Sequence, residues 1–195
     1  MKRLIRILTN TPFHIGLLLF GILADQLTKF WAVAGLGTVR DLDGFLYSLK
    51  PLPVVGDWFW LTLAYNRGAA FSTTPQKFLP FLSPNAFYTL IALAAFVGLV
   101  FYYRQRAFPH VATRLGVVLV MAGGFGNLVD RWRLGRVVDF ISWGVPGVAW
   151  RWPTFNVADS LICVGVAFLV FADFLDISVF RTRVREPEAG NRPTA

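Results

Sequence analysis

Apolar residues dominate four stretches of this chain, roughly residues 13–33, 87–103, 115–129 and 157–175, and polar residues gather between them. Each stretch approaches the ~20 residues that an α-helix needs to cross the hydrocarbon core of a bilayer. A backbone in hydrocarbon must satisfy its own N–H and C=O groups, so each run is read as a helix. The predicted fold class is an all-α membrane protein with four transmembrane helices. Basic residues mark one side of it: Lys2, Arg3 and Arg6 precede the first span, Arg104, Arg106 and Arg114 separate the second and third, and Arg181, Arg183 and Arg185 follow the fourth. The positive-inside rule then puts both termini in the cytoplasm and segments 34–86 and 130–156 on the extracytoplasmic face. Arg131, Arg133 and Arg136 stand against that rule at the outer end of the third span, which points either to a local task for them or to a weak rule here. Residues 1–180 form one membrane domain, and 181–195 ("RTRVREPEAGNRPTA") read as a polar, disordered cytoplasmic tail.

The outer segments carry a second pattern. "VVGDWFWLTLAYN" (54–66) sets a Gly56-Asp57 turn before a β-prone run, and "VVDFISWGVPGVAWRWPTFN" (137–156) sets Pro146-Gly147 between two such runs. Both read as short hairpins. Their tryptophans, Trp58, Trp60, Trp143, Trp150 and Trp152, suit the membrane–water interface. A small sheet resting on the outer leaflet is the expected addition to the four helices.

Composition agrees with a membrane protein. The 195 residues are 55% hydrophobic and only 15% charged, against about 25% charged in soluble domains. Mean hydropathy is +0.55. The formal charge of +8 is spread among apolar segments and forms no face for nucleic acid, so it reads as topology signals and lipid-headgroup contacts. The one cysteine, Cys163, excludes a disulfide framework and reads as a core residue of the fourth span. "MKRLIR" followed by "IGLLLFGILA" and "AVA" has the outline of a cleavable secretory signal. Asp25 and Lys29 interrupt it just before the cleavage position, and at i, i+4 they can pair on one helix face, which favours a retained first span.

The informative polar residues sit at the outer ends of the spans: Asp25 and Lys29; Asn66 in "NRGAAFS"; Asn127, Asp130 and Arg131 in "GNLVDR"; Asp139 in "VVDF"; Asn156 and Asp159 in "FNVADS". A charge at the centre of a membrane helix costs about 2.5–3.5 kcal/mol on insertion scales, so such groups usually face the bundle interior and mark function. A purely structural account exists for some of them. Asn156 and Asp159 make a reasonable helix N-terminus, with the amide capping and the acid facing the positive dipole end. Gly123, Gly124 and Gly126 permit close helix approach. The topology nevertheless collects the whole set at one depth. His14 and His110 fall at the inner side, away from it, so no histidine metal site, triad or other cofactor is expected. Ser72 and Ser160 have no base beside them. Carboxylates remain, and two held close share a proton, one activating water while the other polarises a carbonyl. Asp130, Asp139 and Asp159 are the candidates for such a pair. A proton pathway would spread polar groups through the bilayer's depth, and a lipid-binding scaffold would leave paired carboxylates unexplained. Both are weaker readings.

"DQLTK" (25–29), "NRGAAFS" (66–72), "GNLVDR" (126–131), "VVDF" (137–140) and "FNVADS" (155–160), taken together and in this order, resemble the bacterial lipoprotein signal peptidases, or signal peptidase II. The resemblance implies a four-helix aspartic endopeptidase of the bacterial inner membrane with a β-cradle on its extracytoplasmic face. Its substrates would be prolipoproteins, cut just before a cysteine that already carries a diacylglyceryl group, and its inhibitors cyclic peptides of the globomycin type. By the same resemblance Asp139 and Asp159 are the catalytic pair. Asp25, Lys29, Asn66, Asn127, Asp130, Arg131 and Asn156 then shape the site and hold substrate backbone.

Overall fold

The computed structural model describes residues 11–66, 81–105, 111–148 and 150–185. Four long helices are present: α1 (Thr11–Leu36), α2 (Pro84–Gln105), α3 (Val111–Leu134) and α4 (Val157–Arg185). Between them run five strands: β1 (Val39–Arg40), β2 (Leu46–Tyr47), β3 (Leu52–Val55), β4 (Phe59–Asn66) and β5 (Val137–Trp143). The helices α1, α2 and α3 are each long and apolar enough to cross a membrane, and the apolar part of α4, Val157–Ala172, is shorter. Their outward faces are greasy: Phe20, Phe30, Leu90, Phe101, Val170 and Phe171 are all more than half exposed. An apolar patch of that extent is at home in lipid and not in water.

Local chemistry sets the helix ends. Pro84 occupies the first turn of α2, where its missing N–H is no loss, and the Ser83 hydroxyl accepts the Ala86 N–H at 3.2 Å. Helix α3 stops at Gly135, whose φ of 68° is left-handed and whose N–H reaches the Arg131 carbonyl at 3.0 Å. Helix α3 is the centre of the bundle and touches α1, α2 and α4. It packs closest on α4, where glycines let the two backbones approach. A Cβ on Gly116 would lie 2.8 Å from the Gly165 carbonyl oxygen, and one on Gly123 would collide with the Ala158 carbonyl. Gly126 is equally confined, 2.6 Å from Asp25 Oδ2 for a Cβ. Gly124 faces open space and contributes nothing to the approach, contrary to its expected role.

The sheet is antiparallel in the order β3-β4-β5, with β1-β2 as a separate hairpin. Side chains alternate along β5, so Val138 and Phe140 join Leu63, Ala32 and Leu36 in a buried apolar cluster that seats the sheet on the end of α1. Asp139 therefore points the other way. Its register partner is Ala64 on β4, just past an irregularity between Leu61 and Ala64.

Several expectations need correction. The Gly56 turn does form a hairpin, β3 to β4. Pro146-Gly147 also turns the chain, but the returning run makes only isolated bridges, Gly144 to Arg151 and Ile141 to Phe155, because β5 finds its long partner in β4. The β1-β2 hairpin was not anticipated. Its clasp is Arg136, which bonds Asp43 at 3.0 Å, lies 3.7 Å from Asp41 and covers the Phe45 ring. Cys163 is exposed, not core, since it falls on the outward face of α4. Helix α3 runs on to Leu134, which places Asp130 and Arg131 on its last turns and not in an outer segment. Residues 181–185 continue α4 where a disordered tail was expected.

Candidate active site

Two side chains meet at the start of α4 because of how that helix begins. Asn156 Oδ1 accepts the Asp159 N–H at 2.9 Å, and Asp159 Oδ2 accepts the Asn156 N–H at 3.2 Å. This reciprocal cap satisfies free N–H groups of the first turn and fixes the Asp159 carboxylate at the helix's positive end. The other oxygen of Asp159 accepts from Asn127 Nδ2 of α3 at 2.7 Å. Asn156 Nδ2, fully buried, reaches Asp139 Oδ1 at 2.8 Å, with the Val138 carbonyl and Asn127 Oδ1 each at 3.1 Å. One amide thus joins β5, α3 and α4. The carboxyls of Asp139 and Asp159 are held on either side of it.

Beneath this pair lies a buried ionic layer. Lys29 of α1 bonds Asp25 at 2.8 Å, Asp130 at 3.0 Å and Asn127 Oδ1 at 2.9 Å. Asp25 also accepts the Ala158 N–H at 2.9 Å, a second support for the start of α4. Asp130 accepts the Val138 N–H at 3.0 Å, which anchors β5 one residue before Asp139. Gln26 donates to Gly126, Asp130 and Asp25, each at 3.1 Å. Buried charges persist only when paired and hydrogen-bonded, and each of these is.

Every expected site residue on a helix or strand falls in this assembly. Arg131 sits at its edge, 3.5 Å from the Asn127 carbonyl, with Asp159, Asp139 and Asp130 as its facing charges. Asn66 is exposed at the end of β4, and its side chain hydrogen-bonds Asp139. The rest of that motif, residues 67–72, lies outside the described residues. Asp130 is bonded to Lys29, Gln26 and the Val138 N–H, so it holds the site and does not face the pair's open side. Gln26 was missed. It stood inside "DQLTK", but a polar residue beside an ion pair carries no sequence signal for the α3 carbonyl it will meet.

The two carboxyls differ in surroundings. Asp139 is buried, and burial, then the charge of Asp159, push its carboxyl up to about 7, against the pull of the Asn156 hydrogen bond, Lys29 and Asn66. Asp159 is only partly buried and has donors on both oxygens. Two carboxyls in unlike surroundings are what a paired-acid site needs for one to take a proton while the other gives it. His14 bonds Tyr103 at 2.6 Å at the opposite end of the bundle. Among the described residues no group of three His, Cys, Asp or Glu side chains could hold a metal ion.

The model of the signal peptidase II (SPase II) family matches residues 17–175, a range that holds every residue of this assembly. The chain belongs to the signal peptidase II family. Relatives include the lipoprotein signal peptidase of Syntrophotalea carbinolica, 42% identical over 80% of this chain and 86% of that protein. The lipoprotein signal peptidase of Clostridioides difficile is 35% identical over 80% of this chain and 88% of its own length. Among solved structures, a bacterial membrane enzyme determined by the in meso method at 1.9 Å resolution is 26% identical, with a TM-score of 0.65 over 83% of this chain and 92% of that one. A second such membrane enzyme, at 2.3 Å resolution, has the same TM-score of 0.65 at 24% identity and shares the fold. Membership in the signal peptidase II family makes the chain a peptidase of a membrane-enzyme fold.

Proposed function

We propose that this signal peptidase removes signal peptides from prolipoproteins by aspartic-type hydrolysis, cutting the bond before a diacylglyceryl-modified cysteine. The observation that carries the reading is the Asp139–Asn156–Asp159 bridge at one end of the apolar bundle. Charged Asp159 takes a proton from a water as its oxygen adds to the scissile carbonyl carbon. Protonated Asp139 gives its proton to the carbonyl oxygen. Collapse of the resulting diol breaks the C–N bond and returns a proton to the leaving amine, so the pair finishes with one proton. Arg131 and Asn66, at the rim, hold substrate backbone, and Asn127 and Asn156 keep the carboxyls apart and aligned. Cyclic peptides of the globomycin type would occupy the same opening.

The reading includes a place in the bacterial inner membrane. All four helices cross it, residues 1–180 form one domain, both termini face the cytoplasm, and the sheet and the carboxyl pair lie at the extracytoplasmic face. The basic clusters of the sequence support that orientation, as do exposed Trp58, Trp150 and Trp152 on the sheet side. A substrate anchored by lipid would present its peptide bond at this depth.

The test is cleavage of a purified, diacylglyceryl-modified prolipoprotein by the full chain and by Asp139→Asn and Asp159→Asn. Loss of about 10²–10⁴-fold in both variants, each still folded in detergent, is the expected result. Retained cleavage in either variant overturns the assignment of the pair. An inert wild type rejects the reaction.

A further inference from the structure

A cavity of about 430 Å³ lies at the end of the bundle opposite Asp139, between α1, α2 and α3. Nothing in the peptidase chemistry uses it. Its walls grade from polar to apolar in one direction. Thr11 and His14 are in the first turn of α1, and Tyr103 and Arg104 in the last turn of α2, so the polar groups ring one end. Leu18, Val118 and Met121 lie one to three helical turns further in, and Val100 one turn. Buried His14 bonds the Tyr103 hydroxyl at 2.6 Å, an ordered polar floor beside the exposed guanidinium of Arg104. The volume falls in the range of small-molecule sites, about 300–1,000 Å³.

We propose that this cavity is a binding site for an anionic phospholipid, with one acyl chain between the three helices and the phosphate at Arg104 and Tyr103. The gradient of the walls matches the gradient of such a lipid, polar at the membrane surface and apolar inward. Charge complementarity selects the headgroup. Arg104 at the end of α2 and Arg114 in the first turn of α3 stand at this end of the bundle, and basic pockets between membrane helices on the cytoplasmic side take anionic headgroups. A zwitterionic lipid would fill the apolar part and gain nothing from Arg104. The site lies outside the peptidase chemistry and shares none of its side chains, and its cytoplasmic placement rests on the orientation proposed above.

The test compares retention of dioleoylphosphatidylglycerol and dioleoylphosphatidylcholine by the full chain, measured by native mass spectrometry after release from nanodiscs holding the two in equal amounts. The wild type is expected to retain phosphatidylglycerol preferentially. Arg104→Gln, at an exposed position that folding tolerates, should reduce that preference about fivefold, the effect of one basic contact worth about 1 kcal/mol. Leu18→Trp, which fills the cavity, should abolish it. Equal retention of the two lipids by the wild type overturns the proposal. So does a preference that survives Leu18→Trp, which would trace it to diffuse surface charge, or one untouched by Arg104→Gln. Cleavage of lipidated prolipoprotein by both variants should match the wild type, so the outcome is separable from that of the peptidase test.

Discussion

Asp139 and Asp159 have the same side chain and opposite surroundings, and that difference can be measured. Burial and its neighbour's charge push the Asp139 carboxyl up to about 7 from 3.8. Cleavage should therefore fall as pH rises through about 7, where Asp139 loses the proton it must donate, and a pH–rate profile flat from pH 6 to 9 would count against it. The folded state also holds a proton between pH 3.8 and about 7 that the unfolded chain has released. Native stability must then decline as pH rises through that window and stay lower above it. Asp139→Asn removes the charge while keeping an acceptor for Asn156. We expect that variant to melt at or above the wild-type temperature at pH 8, with a smaller gap at pH 5. A lower melting point at pH 8 would contradict the assignment. At this scale the sequence was informative because charged residues in apolar runs stand out and the family motifs name them. The single backbone bond from Val138 to Asp130 that aims Asp139 has no such mark, since any residue but proline could donate it.

Helix contacts are decided by what is missing from them. Adjacent glycines on α3 have opposite fates, because a Cβ on Gly123 strikes the backbone of α4 while one on Gly124 meets nothing within 4 Å. Gly123→Ala should destabilise by about 1–3 kcal/mol and slow cleavage, since it separates Asn127 from Asp159. Gly124→Ala should be neutral or stabilising by up to about 1 kcal/mol. Thermal unfolding in detergent distinguishes the two, and equal losses would show the crossing to be looser than described. Lys29 tests the α1–α3 joint. Lys29→Met strands Asp25 and Asp130 as buried charges and should cost about 3–5 kcal/mol in the same assay, with partial recovery on adding Asp130→Asn. The apolar runs made the helices legible, and i, i+4 spacing made the Asp25–Lys29 pair legible. Helix ends were less so: α3 continues through charged Asp130 and Arg131 because tertiary partners accept those charges. Hydropathy, which sees no partners, ends the span too early. The β1-β2 hairpin escaped for a similar reason, being held by Arg136 from far along the chain.

For the molecule as a whole, the proposed orientation makes a direct prediction. A cysteine placed at fully exposed Leu42 should react with a membrane-impermeant maleimide added outside intact spheroplasts, and one placed at Arg104 should not. Reversed labelling would invert the protein in the membrane. The overall plan also has a temporal side. The polar assembly draws on α1, α3, β5 and α4, and the Asn156 amide that joins them caps α4, the last of the four helices in chain order. Until that helix is inserted Asp139 has no partner acid, and Lys29, Asp25 and Asp130 wait without the Ala158 N–H that completes their layer. On the proposed mechanism, a chain that lacks α4 is expected to be inert. Hydrolytic competence would then arrive in one step, once α4 joins three helices already seated in the membrane.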